Sequence, residues 1–225
     1  MVASPIPFNR GIYTPAEVAL FAKLHRSTVQ RWFFSNHMGK AVLPPSADAE
    51  ERTLTFLDFV QAMAVRDIRR MHKVPLPKIR EAVRHAETDY NLTHIFARPH
   101  CSVLFEGDIF VYPKGEASPV QVSGKRPHQI ALRPIVEAFQ RDLSFDEHGL
   151  ARLFTAFRFS NEAVVMDPAV RFGEPCVASC GYSARTLYDA VLSEGGVPEA
   201  ARAFEVPEAA VDVALRFYES LATAA

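Results

Sequence analysis

The sequence contains no continuous apolar run near the ~20 residues a helix needs to cross a bilayer. Its opening residues, MVASPIPFNR, hold no apolar signal-peptide core. Cysteine is scarce, with Cys101, Cys176 and Cys180 the 3 in 225 residues. Such usage argues against a disulfide framework and for reduced thiols, so a cytoplasmic protein without membrane contact is expected. Catalytic signatures are missing too: there is no Walker loop, dinucleotide glycine motif, G-x-S-x-G or H-E-x-x-H. Cys176 and Cys180 are spaced C-x3-C, wider than the pairs of structural zinc sites, and His100-Cys101 is the only local supplement. The expectation is no enzyme, no cofactor and no metal. Charge of one sign is also missing overall, because the formal net charge is −1.

What is present is enough to build two domains, with 48% apolar and 23% charged residues. The charge is unevenly spread. Residues 1–90 hold 13 Lys+Arg against 9 Asp+Glu, a net +4, and the remainder 12 against 17, a net −5. A basic first part on an acidic second part suits one DNA-facing domain and one that faces something else.

The most informative stretch is YTPAEVALFAKLHRSTVQRWFF, from Tyr13 to Phe34. Thr14 is placed as a helix cap, with Pro15 at the first helical position and Glu17 three residues on, a capping box. Lys23-Leu24-His25 reads as a turn and Arg26 to Phe34 as a second helix. Two short helices so joined make a helix-turn-helix, whose second helix would enter the major groove. Val29, Trp32 and Phe33 fall on its inner side, leaving Arg26, Ser27, Gln30 and Arg31 outside. Arg reads guanine bidentately, Gln reads adenine, and hydroxyls at a helix N-terminus hold phosphate. Thr14, His25 and Thr28 join them as candidate contacts. The polar connection that follows, with Pro44-Pro45-Ser46, suits a β-hairpin wing that would carry Lys40 and Arg52 to a flanking phosphate.

From Phe56, FLDFVQAMAVRDIRRMHK is helical by period, with Phe56, Phe59, Val60, Met63, Ile68 and Met71 inward and Asp58, Arg66 and Arg69 outward. Val74-Pro75-Leu76-Pro77 interrupts it, and PKIREAVRHAE restarts a helix. This order resembles the MerR-type winged-helix regulators over the first ninety or so residues, VPLPKIREAV included. The resemblance implies a winged helix-turn-helix domain over residues 1–90 and operator DNA as partner. No long coiled-coil helix follows.

Residues 91–159 read as a small β-containing connector. VLFEGDIFVYP is a hairpin signal, Val120-Gln121-Val122 a further strand, RPIVEAFQRDL a short helix, and Leu143 to Phe154 a second hairpin around Asp146-Glu147-His148-Gly149. Residues 160–225 hold a short strand at Val164-Val165-Met166 and three helical segments, with Pro198 and Pro207 expected at first helical positions. The last helix carries Glu208, Asp212 and Glu219 against Arg216, which a duplex would repel. A three-helix, homeodomain-shaped unit of this sign suits self-association or a protein partner, with Leu187, Leu192, Val211, Leu215 and Tyr218 as candidate interface residues. The fold class expected is mainly α with a small antiparallel β middle, α+β.

This tail resembles the C-terminal domain of VapB-type antitoxins, through a D/H-P turn, an R-F-G-x-P segment and the spacing that follows. The matching positions are Pro168, Phe172, Gly173, Pro175, Leu187, Gly195, Ala201, Phe204, Val206, Val211, Ala214, Phe217 and Tyr218. Ser179-Cys180-Gly181 stand where the pattern has Gly-Thr-Arg. The resemblance implies the antitoxin of a type II toxin–antitoxin pair, whose usual partner is a PIN-type ribonuclease toxin, acting as a homodimer that autorepresses its operon. The alternative is a stand-alone MerR-like transcription regulator whose middle domain senses a ligand.

Overall fold

A computed structural model describes residues 10–34, 41–46, 52–99, 102–103, 108–111, 119–123 and 141–223. Among these the fold is α+β, with α-helices and two small antiparallel sheets. The chain divides into two compact units, one holding residues 10–151 and the other residues 152–223.

In the first unit, α1 (Pro15–Phe21) and α2 (Arg26–Phe34) are short and adjacent. The central element is α3 (Phe56–His72), because everything from Phe56 to Val65 is buried. Sequence periodicity gives this helix an outer face over Asp58, yet Asp58 is fully buried, and Met71, expected inward, is 51% exposed. The reason lies in what surrounds the first turns. Tyr13 packs on Phe59 at 5.6 Å, Phe56 lies 6.3 Å from Phe59, and the 3-10 turn Ile95–Ala97 is itself fully buried against the helix. Ala62 and Ala64 keep the remaining faces narrow enough for neighbours to approach. A helix covered on all sides loses its amphipathic stripe.

Asp58 is tolerated in that position because its oxygens are satisfied. They accept from the Thr55 N–H at 2.9 Å, the Ser46 N–H at 3.2 Å and the Ser46 hydroxyl at 2.7 Å. Thr55 returns the favour by accepting from the Asp58 N–H at 3.1 Å, which completes a capping box at the start of α3.

α4 (Leu76–Tyr90) follows, and it holds the middle of the chain to the same unit. Lys78 pairs with Asp108 at 2.5 Å, and the His85 Nδ1 donates to the Val122 carbonyl at 3.1 Å. Asp108 immediately precedes β2 and Val122 immediately follows β3 of an antiparallel sheet of β1 (Ser102–Val103), β2 (Ile109–Val111) and β3 (Val120–Gln121), with Ser102 opposite Phe110 and Phe110 opposite Gln121. The hairpin expected around Glu106-Gly107-Asp108 thus has both its strands, though Glu106 and Gly107 fall outside the described residues. The helix expected at RPIVEAFQRDL lies outside them as well. β4 (Leu143–Phe145) precedes a turn in which Asp146 Oδ1 accepts from the His148 and Leu150 N–H groups.

The second unit is more β-rich than the sequence indicates. β5 (Ala151–Phe159) is the longest strand of the described chain, and it enters the unit at Arg152. It pairs antiparallel with β6 (Glu162–Met166), which pairs with β7 (Cys176–Val177); a bulge lies between Thr155 and Phe157. Three helices complete the unit: α5 (Ala184–Glu194), α6 (Val197–Phe204) and α7 (Glu208–Ala222). α7 packs against β6 and against both other helices, burying Val211, Val213, Ala214 and Phe217. Neither proline takes the first helical position expected of it: Pro198 is the second residue of α6, and Pro207 stands at the N-cap of α7 just outside it. No helix of the described residues is long and apolar enough to cross a membrane.

Candidate nucleic-acid interface

The pair α1–α2 is built by its caps. Thr14 Oγ1 accepts from the Glu17 N–H at 3.2 Å while the Thr14 N–H donates to Glu17 Oε2 at 2.7 Å. The Thr14 hydroxyl also donates to that carboxylate at 2.8 Å, so this candidate contact is committed to its own helix. α1 ends at Ala22, Lys23 takes a left-handed backbone (φ 50°), and the Leu24 N–H closes onto the Ala19 carbonyl at 2.8 Å. Arg66 of α3 donates to the Ala22 carbonyl at 2.7 Å and forks onto Asp67. Periodicity puts Arg66 on the outer side of α3, yet it fastens the end of α1 to the central helix, because the tertiary fold brings the Ala22 carbonyl to it.

α2 opens on His25. Its Nδ1 accepts from the Ser27 hydroxyl at 2.7 Å and the Ser27 N–H at 3.3 Å, so the imidazole caps the helix and its proton sits on Nε2. Val29, Trp32 and Phe33 are buried, and the Val42 and Leu43 N–H groups both donate to the Trp32 carbonyl, closing the chain over the helix end. Arg26, Ser27, Gln30 and Arg31 are all exposed. At 100° per residue Arg26 stacks over Gln30 and Ser27 over Arg31, two adjacent rows on one side of the helix. Thr28 lies between this face and the buried one and is half-buried. The described part of α2 therefore offers two guanidinium groups, an amide and a hydroxyl on a rigid element whose opposite face is locked into the core.

Arg52 is exposed with φ 49°, and the residues after it are pinned next to the α1 cap. The Ile12 and Tyr13 N–H groups donate to the Leu54 carbonyl at 3.0 Å, and the Leu54 N–H to the Tyr13 carbonyl at 2.8 Å. That single bridge is the one β-pairing in which residues 41–54 take part among those described. Most of the expected wing, Lys40 with it, lies outside the described residues.

One polar cluster has no signal in the sequence, because its members are far apart in the chain. Ser46 bonds Asp58 and also His94 Nε2, at 2.5 Å. A serine has one proton and a carboxylate only accepts, so Ser46 donates to Asp58 and receives the His94 Nε2–H. The order carboxylate–hydroxyl–imidazole differs from a nucleophilic triad, in which the imidazole stands between the other two and takes the serine proton. The cluster ties the loop before α3 to the segment after α4. Burial holds the His94 pKa below its ordinary value of 6.5; Asp58 opposes this, the Arg98 charge adds to it, and Glu87 opposes it more weakly. A histidine held neutral by folding favours the unfolded chain once protons bind. Stability is thus full above about pH 6.5 and is lost as pH falls from there through the lower folded value. Urea midpoints measured from pH 8 to 5 should fall over the acid part of the range, and His94→Asn should remove that share of the slope. An unchanged slope in the variant would assign the dependence elsewhere.

In the second unit the candidate interface residues separate. Leu187 and Val211 are fully buried, so they pack their own unit's core and are not available to a partner. The apolar positions that suggest an interface for them are core positions of this unit. Leu215 and Tyr218 are half-buried, and Leu192 is 68% exposed. Cys176 is buried and Cys180 half-buried, both as free thiols. Among the described residues no group of three or more His, Cys, Asp or Glu is gathered as for a metal ion; His100 and Cys101 lie outside them.

No protein-family model and no curated protein matches the sequence. Among solved structures, the chain is similar to the X-ray crystal structure of Rv2018 from Mycobacterium tuberculosis. The two are 19% identical, the match covers 92% of this chain and 99% of that one, and the TM-score is 0.63, a likeness of fold.

Proposed function

We propose that the protein is a DNA-binding antitoxin of a type II toxin–antitoxin system, neutralising a PIN-type ribonuclease and repressing its own operon as a homodimer. The observation that carries the DNA half is the exposed Arg26–Gln30 and Ser27–Arg31 face of α2 opposite a fully buried Val29–Trp32–Phe33 face. In this reading α1 and α2 form a MerR-type helix-turn-helix, and the segment through Lys40 and Arg52 serves as its wing. α5 to α7 form a homeodomain-like antitoxin unit. Two copies would set their recognition helices on half-sites about one helical turn apart. The antitoxin half is supported by the VapB-like residues of the tail. It is also supported by the second unit's charge, since residues 152–225 hold 6 Arg against 10 Asp+Glu, a sign that disfavours DNA there.

The test is co-expression with the neighbouring gene. The expected result is a neighbour that arrests growth alone, is rescued by this protein, and co-purifies with it. A harmless neighbour with no complex would sink the antitoxin half. It would favour the stand-alone regulator, in which ligands of the β1–β3 sheet act through α4.

A further inference from the structure

The turn between α1 and α2 holds a hydrogen bond whose direction is forced, and that direction decides what two side chains can offer a ligand. A backbone N–H can only donate, so the Ser27 N–H, 3.3 Å from His25 Nδ1, makes that nitrogen an acceptor. An accepting ring nitrogen carries no proton, so the Ser27 hydroxyl at 2.7 Å donates to it as well. Ser27 has thereby spent its one hydroxyl proton inside the protein. A phosphate oxygen needs a donor and finds none on that side chain, although Ser27 is exposed at the start of α2. The proton of the neutral imidazole sits on Nε2, at the far edge of the ring. Among the described residues nothing accepts it.

The donor so left over is held still. The His25 carbonyl accepts from the Thr28 and Val29 N–H groups at 2.8 and 3.3 Å, so His25 caps α2 with its backbone as well as its ring. The turn before it is closed by the Lys23 N–H on the Leu20 carbonyl at 3.2 Å, and Arg66 fastens Ala22 to α3. Capping alone is served by Ser, Thr, Asp or Asn. An imidazole adds a donor on the opposite edge of a rigid ring, away from the N–H groups that it caps. The charge beside it has one sign. Lys23, His25 and Arg26 are exposed, and the stretch from Lys23 to Phe34 holds no Asp or Glu. The carboxylate nearest before them in the chain, Glu17, is bound to the Thr14 N–H and hydroxyl. An oriented N–H donor flanked by cations suits an anionic oxygen. Beside a face able to read bases, that oxygen belongs to the DNA backbone, where contacts position a recognition helix and leave specificity to the base edges.

We propose that His25 Nε2–H grips a backbone phosphate of the DNA and sets the register of α2, and that Ser27 is a positioning residue which acts through His25 by fixing its tautomer and its ring. The contact rests on the DNA half of the proposed function and divides its labour: His25 anchors, Arg26, Gln30 and Arg31 read base edges, and Ser27 holds no phosphate.

Anisotropy titrations of the full chain with two labelled duplexes test it, one from upstream of its own gene and one of the same composition in scrambled order. His25→Asn keeps a capping oxygen for the Ser27 N–H and hydroxyl, but its amide stops one bond short of Nε2. The variant should melt with the wild type and bind both duplexes at least about tenfold more weakly, as loss of a hydrogen bond to a charged group predicts. Its salt slope should match the wild type's, because a neutral donor releases no counterion. Ser27→Ala should weaken binding in the wild-type background and change nothing further in the His25→Asn background, as a residue acting through another must. Unchanged affinity in His25→Asn, or a loss confined to one duplex, overturns the phosphate contact. Additive losses in the double variant overturn the positioning role and return Ser27 to the phosphate. A wild type that binds neither duplex overturns the DNA reading and this contact with it, whereas wild-type binding that His25→Asn leaves intact overturns the contact alone. Should the variant fail to fold, the Nε2–H proton resonance of wild-type His25 decides: slower exchange with water on adding the scrambled duplex supports the contact, and unchanged exchange overturns it.

Discussion

Under the proposed function, replacing Arg26 and Arg31 together by alanine should lower affinity for the operator about 100-fold or more while the complex with the proposed toxin survives. Each bidentate arginine contact to a base is worth ~1–3 kcal/mol, and ~1.4 kcal/mol is tenfold in binding. Both side chains are exposed on α2, so the fold should lose under about 0.5 kcal/mol. Anisotropy titrations at several salt concentrations separate the two kinds of contact. A residue that reads a base relaxes specificity at one position. A residue that holds phosphate weakens all sequences alike and flattens the salt slope by ~0.9 per contact. Loss of toxin binding along with operator binding would show that the two activities share a surface, and the division of labour between the units would fall.

Asp58→Ala should act in the opposite sense, through stability. The carboxylate is fully buried and accepts from three donors, the Thr55 N–H, the Ser46 N–H and the Ser46 hydroxyl. A buried donor left unmet costs ~1–3 kcal/mol; the Thr55 N–H is buried and Ser46 half-buried, so removing their shared acceptor should cost about 2–3 kcal/mol. Against the ~5–15 kcal/mol that holds a typical domain, this is a large share. Urea unfolding followed by circular dichroism should show it, with operator binding falling only as the folded fraction falls. Asp58→Asn keeps one acceptor oxygen but turns an amide N–H₂ toward a donor, and should fall between wild type and alanine. A loss below about 1 kcal/mol for the alanine variant would mean that water enters and satisfies the three donors. Together the two substitutions separate the proposed binding face of α2 from the core beneath it.

Local chemistry accounts for what the sequence made legible. The Thr14–Glu17 capping box, the turn at Lys23, the inward Val29, Trp32 and Phe33 and the outward Arg26, Ser27, Gln30 and Arg31 are fixed by residues within one or two turns of each other. The same is true of the Asp146 turn and of the restart of a helix at the prolines, although α4 begins at Leu76 with Pro77 already inside its first turn. Period and capping are short-range physics, and they survive whatever the rest of the chain does. α5, α6 and α7 were legible for the same reason.

Contacts between residues far apart in the chain decided the rest. Asp58 reads as a solvent-facing charge until residues 46 and 94 are brought to it, and Arg66 until the end of α1 comes within reach. Leu187 and Val211 read equally well as interface or core, since the sequence marks an apolar face without saying what covers it; the packing of α5 and α7 on each other and of α7 on β6 assigns them to the core. The exposed Phe172 ring rests on a backbone conformation that no propensity foretells. The sequence by itself determined the helices, their caps and the polar face offered by α2. Only the tertiary structure decided which charges are buried and which apolar residues remain outside, because burial belongs to the assembled neighbours of a side chain.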